Sequence, residues 1–197
     1  PGLVVMIIAG LVVVPISKRV SPHVLIPTAL LFSIAGYIAV AFATDESAVT
    51  TLMLAFVSLG IGIGMAETVS NDLVLSSAPA AKAGAASAVS ETAYELGAVL
   101  GTSILGGILT AFYRATIEVP AGVPAEAAEA ARETLAGATV QAEKLGGVVG
   151  EELFTAAAHA FDSGVTVTAL IGAGLIVIAA LIAATTMKTT KSAPAEM

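Results

Sequence analysis

Cysteine is absent from this 197-residue chain, and histidine occurs only twice, at His23 and His159. No disulfide or thiolate metal site can therefore form, and two distant histidines make a poor ligand set, so neither a metal nor another cofactor is expected. Charge is scarce as well. Charged side chains make up 12% of the sequence, and 8 lysines and arginines against 15 aspartates and glutamates leave a net charge of −7. Without a basic patch, a nucleic-acid partner is not expected. A nucleophile–base pair and a phosphate-binding loop are missing too, which argues for translocation or a structural membrane role over an enzyme.

What the chain has in abundance is apolar surface. Hydrophobic residues account for 57% of it and the mean hydropathy is +0.96, values of an integral membrane protein. Five apolar segments can be drawn along it, which predicts an all-α, polytopic transmembrane bundle. The first, from Pro1 to about Ile16, falls short of the roughly 20 residues that a span requires. It starts without Met and without a basic n-region. We therefore expect a transmembrane helix cut at the start of the chain, which makes the chain a fragment. The second segment covers about Val24–Phe42, with Pro27 in its first turn, where a missing N–H costs little. The third covers about Thr50–Ser76 and the fourth Ala83–Tyr113, so residues 1–113 read as one set of transmembrane helices.

Residues 114–162 are polar and acidic. The run PAEAAEAARETLAGATVQAEKL favours helix, Gly146-Gly147 breaks it, and VVGEELFTAAAHAF suits a second short helix. Leu135, Val140, Leu145, Leu153 and Phe154 favour a helical hairpin outside the membrane, the other reading being a disordered acidic linker. A last transmembrane helix over 163–187 and a polar tail, 188–197, complete the chain. Lys18 with Arg19, Lys82, and Lys188 with Lys191 fall on alternate connections; Asp45 with Glu46 and the acidic region fall on the others. The positive-inside rule then places the C-terminus in the cytoplasm and the hairpin outside a cell membrane.

The fourth segment carries the chemistry. Glu91 and Glu95, four residues apart, stack on one helix face. Glu95 lies roughly 18 Å from the start of the helix, near the middle of a hydrocarbon layer of about 30 Å. Each central charge costs about 2.5–3.5 kcal/mol on insertion scales, so a retained pair needs a reason. Burial and mutual repulsion raise carboxylate pKa values, which suits such a pair to exchange a proton or to balance a cationic ligand. The bland alternative is a pair of polar groups bonded to a neighbouring helix. Ala88, Ala98 and Thr102 keep that face small-walled. Tyr94, between the acids, is either a packing aromatic or a wall for a cation. On the third segment, Glu67 shares a face with Gly60, Gly64 and Asn71 and is a secondary candidate, while Asp72 is placed nearer the interface. Gly97 and Gly101 form a small-xxx-small pair that signals helix packing.

The segment Ala83–Gly107, above all SAVSETAYELGAVLG, resembles the penultimate helix of the fourteen-helix drug:proton antiporters of the major facilitator superfamily. The stretch GIGIGMAETVSNDLVLSSAPAAKAG resembles the helix and turn before it. The resemblance implies a C-terminal fragment holding the last five helices. Its E-x-x-x-E pair is nearest to the quaternary-ammonium efflux branch, which implies that Glu91 and Glu95 handle cations and protons. That branch also carries an extracellular hairpin, matching Arg114–Asp162. The turn PISKRVSPHV departs from the family, with Ser21 where Gly is usual and His23 where a basic residue is usual; Glu67 stands where Pro is common. The implied function is proton-coupled export of lipophilic, cationic compounds, in partnership with the bilayer and the missing half. The alternatives are a transporter of the same fold for another solute, or a membrane scaffold in which the acids are helix glue.

Overall fold

The computed structural model describes residues 2–43 and 48–189, with residues 187–189 described by backbone alone. Asp45, Glu46 and Lys191, together with the side chain of Lys188, lie outside the described residues. Helices are the only regular elements among the described residues: α1 (Gly2–Ser17), α2 (Pro22–Ala41), α3 (Ala48–Ser77), a 3-10 turn (Ala80–Lys82), α4 (Ala83–Thr116), α5 (Ala125–Glu133), α6 (Leu135–Leu145) and α7 (Gly147–Thr189). Four helices, α2, α3, α4 and α7, are long and apolar enough to cross a membrane, and α1, at 16 residues, is a shorter apolar helix.

Several element boundaries differ from the sequence expectation for local reasons. Helix α2 starts two residues early because Pro22 takes its first position, with Ser21 as the extended N-cap; Pro27 then lies inside the helix rather than in its first turn. The alanine- and glutamate-rich run is two helices instead of one. Thr134 adopts extended geometry between them and its side chain accepts a 3.0 Å hydrogen bond from the Gly137 amide, capping α6. The break at Gly146-Gly147 is real, with φ values of +60° and +57° that only glycine takes readily. Helix α7 then runs without interruption for 43 residues, past the boundary expected near residue 163. Gly164 lies inside it, and because a Cβ there would come within 2.8 Å of Leu109, the glycine is a contact point between α7 and α4.

The chain divides into two compact units. One comprises residues up to Gly97 and those from Ala169 onward; the other is Ala98–Thr168. In the first, α3 packs against both α1 and α2. A Cβ at Gly60 would strike the Gly2 carbonyl and one at Gly64 the Met6 carbonyl, both on α1; a Cβ at Gly62, about 200° round the helix, would strike Ser33 and Ala29 of α2. Bare backbone on two faces thus lets α3 approach two neighbours at once. Ser58 Oγ donates to the Phe32 carbonyl at 2.7 Å across the α2–α3 contact. Val13, Leu25, Ile26 and Val69 form the buried apolar cluster, joined by Met65, Leu73 and Ala183.

The second unit is built from small side chains. Its core joins Tyr113, Ile117 and Leu153 to Ala131, Ala138, Ala142, Ala157 and Ala160. Tyr113 is 2% exposed, and its hydroxyl donates to the Ala131 carbonyl at 2.7 Å. Gly137 and Gly150 approach the carbonyls of Ala130 and Ala142, which brings α5, α6 and the start of α7 into close contact.

Candidate substrate and proton site

Glu91, Tyr94 and Glu95 lie on α4 as the sequence spacing requires, with the acids one turn apart. Every residue from Glu91 to Leu100 is exposed, Tyr94 at 52%, so the small neighbours Ala88, Ala98 and Thr102 border an uncovered face. Gly97 and Gly101 have nothing within 4 Å of where a Cβ would sit, so the packed flank expected of them is open among the described residues. The spacing marks a surface able to receive a neighbour, and among the described residues no neighbour is seated on it.

Glu67 sits elsewhere. It lines a groove of about 540 Å³ between α1 and α3, together with Gly10, Gly64, Thr68, Asn71 and Asp72. Gly60 and Gly64, on the same side of α3, hold α1 close, which is why the carboxylate opens beside that contact. Asp72, which the sequence suggested belongs at the interface, shares this groove with Glu67. The structure therefore assembles two acidic surfaces, one on α4 and one between α1 and α3. Asn71 connects them: its Oδ1 accepts a 3.4 Å hydrogen bond from Ser90 Oγ, one residue before Glu91. Ser90 was not among the sequence candidates, since a contact between residues 19 apart leaves no signal in one sequence.

Sequence reasoning also passed over a groove of about 760 Å³ in the second unit, where Glu118, Glu151, Glu152 and His159 surround Phe112, Val148 and Ala156. Glu151, Thr155 and His159 follow at four-residue spacing, which is visible in the sequence once 147–163 is read as one helix. Among the described residues, no group of three or more His, Asp or Glu side chains could hold a metal ion.

Long apolar helices in this number define a polytopic helical membrane protein. The profile of the Major Facilitator Superfamily matches residues 1–102, a segment that contains Glu67, Glu91, Tyr94 and Glu95, and the chain belongs to that superfamily of transporters. It is 47% identical over 182 residues to the multidrug efflux pump LfrA of Mycolicibacterium smegmatis, a match covering 92% of this chain and 36% of that protein. It is 38% identical over 103 residues to the methyl viologen resistance protein SmvA of Salmonella typhimurium, covering 52% of this chain and 21% of the relative. The chain thus spans about a third or less of the length of these relatives.

Proposed function

We propose that these helices belong to a multidrug efflux transporter that exports lipophilic, cationic compounds in exchange for protons. The observation that carries this reading is the 47% identity to a multidrug efflux pump along 92% of the chain. The resistance protein for methyl viologen, an organic dication, adds support for cationic substrates. Glu91 and Glu95 supply the negative charge, with Tyr94 between them as an aromatic wall and Glu67 as a second acid. A cation and a proton compete for the same carboxylates, so loading one displaces the other.

The remaining walls of the cavity come from residues outside these 197, against which this set of helices rocks to give alternating access. The basic connections at Lys18, Arg19 and Lys82 face the cytoplasm of a cell membrane, with the C-terminus on the same side and residues 114–162 outside. A substrate leaving the cell then meets Glu91 before Glu95.

The test is proton-driven efflux by the whole transporter, measured for a monovalent and a divalent organic cation. Glu91→Gln and Glu95→Gln each lower the rate, and together lower it by about tenfold or more at equal protein in the membrane. Undiminished, proton-dependent efflux by the double variant would show that these acids do not handle the substrate.

A further inference from the structure

We propose that Asn71 and Ser90 form a clasp between α3 and α4 that sets the direction in which Glu91 and Glu95 face. Ser90 Oγ donates to Asn71 Oδ1 across 3.4 Å. Ser90 is half-buried, and the ten residues after it, Glu91 to Leu100, are all exposed. It is therefore the last seated residue before a bare stretch of α4. At 3.6 residues per turn, the acids lie roughly 100° and 140° round the helix from Ser90. With the serine held against α3, both carboxylates turn off that contact toward the open side of α4.

Among the described residues, the stretch that follows, Glu91 to Leu100, is exposed throughout, which leaves the Ser90 bond to fix its facing against α3. At Gly97 and Gly101, which would give a neighbouring helix purchase, an added Cβ would meet nothing within 4 Å among the described residues. A single interhelical hydrogen bond is worth enough to bias a rotation about threefold to tenfold. Asn71 is well placed to hold the other end, because α3 is itself locked from two sides by Gly60, Gly62 and Gly64. Asn71 also lines the groove that contains Glu67 and Asp72, so one side chain touches both acidic surfaces. Asn71 and Ser90 are positioning residues: they act through the carboxylates that they orient.

The consequence for transport rests on the function proposed above, but the orientation itself does not, and two readouts keep them apart. The chain contains no cysteine, so single cysteines introduced at Ala93 and at Glu95, about 160° apart on the helix, report which face is open in the whole transporter. The measured quantity is the ratio of their modification rates by a cationic methanethiosulfonate reagent. Ser90→Ala should move this ratio toward unity by about threefold to tenfold. Ser90→Thr, which keeps the hydroxyl, should restore it. Asn71→Leu should match Ser90→Ala, and the double variant should add nothing further. An unchanged ratio in Ser90→Ala, a threonine variant that behaves like the alanine one, or additive single effects would overturn the clasp.

Transport is then measured in the acid-bearing protein. Ser90→Ala should raise the cation concentration for half-maximal efflux about threefold or more, with the maximal rate nearly kept and Ser90→Thr restoring the original value. A shifted labelling ratio with unchanged transport would sustain the clasp and count against the proposed role of the acids.

Discussion

Glycines recur along both α3 and α4, and the two helices use them in opposite ways. On α3, Gly60 and Gly64 meet α1 while Gly62 meets α2, and an added Cβ at any of them would collide with backbone. On α4, Gly84, Gly97, Gly101, Gly106 and Gly107 have nothing within 4 Å of the same position. The acids follow the same division. Glu67 opens into a groove beside a glycine-mediated contact, whereas Glu91 and Glu95 stand on bare helix. Small residues create the option of close approach, and the neighbour's shape decides whether the option is taken. In this chain the closely packed helix is held on two faces, and the bare one carries the two stacked acids on an exposed face.

That contrast can be broken by substitution. The largest effect is expected at Gly62→Ala, where the new methyl meets Ser33 and the Ala29 carbonyl. Stability of the whole transporter in detergent should fall by about 1–3 kcal/mol, read as a lowered thermal midpoint. Wild-type stability there would mean that the α2–α3 contact can give way. An intermediate effect is expected at the far end of α4. Tyr113→Phe removes the 2.7 Å bond to the Ala131 carbonyl and leaves that buried acceptor unpaired. A loss of about 0.5–1.5 kcal/mol, the net worth of one hydrogen bond, should follow, with efflux per folded molecule unchanged. A drop in efflux at equal folding would tie this packing to transport. The smallest effect belongs to Gly97→Ala and Gly101→Ala, for which the change should stay within about 0.5 kcal/mol, as for a site with no close contact. If either is as harmful as Gly62→Ala in the whole transporter, a helix from elsewhere in the protein occupies that face, and the comparison with α3 narrows to one of timing.

The helices were legible because apolar runs of this length have few other options, and the stacking of Glu91 on Glu95 follows from helical spacing alone. Local capping was harder to see. Pro22 and Thr134 each moved a boundary through one residue's backbone geometry, and the last helix begins at Gly147 rather than near residue 163, with Gly164 inside it against Leu109. Asp72 joined Glu67 because α1 packs closely enough to form a groove around both, a consequence of Gly64 meeting Met6. The link from Asn71 to Ser90 depends on how α3 and α4 are rotated against each other, and helical periodicity within one segment carries no information about that. The small-xxx-small spacing at Gly97 and Gly101 describes capacity for contact, so it could not say whether a partner is present.

The alanine core of the second unit has a consequence for how that unit behaves in time. Ala131, Ala138, Ala142, Ala157 and Ala160 lose no rotamer freedom on burial, so ordering them costs backbone entropy alone. Each also removes little apolar area from its surroundings, so each contact is shallow. Such an assembly combines a precise fit with a low threshold for partial opening. Apart from Tyr113 and Leu153, no large, fully buried side chain anchors it among the described residues. Helices α5 and α6 are accordingly expected to exchange their amide hydrogens as a unit, and well before α3 releases its own.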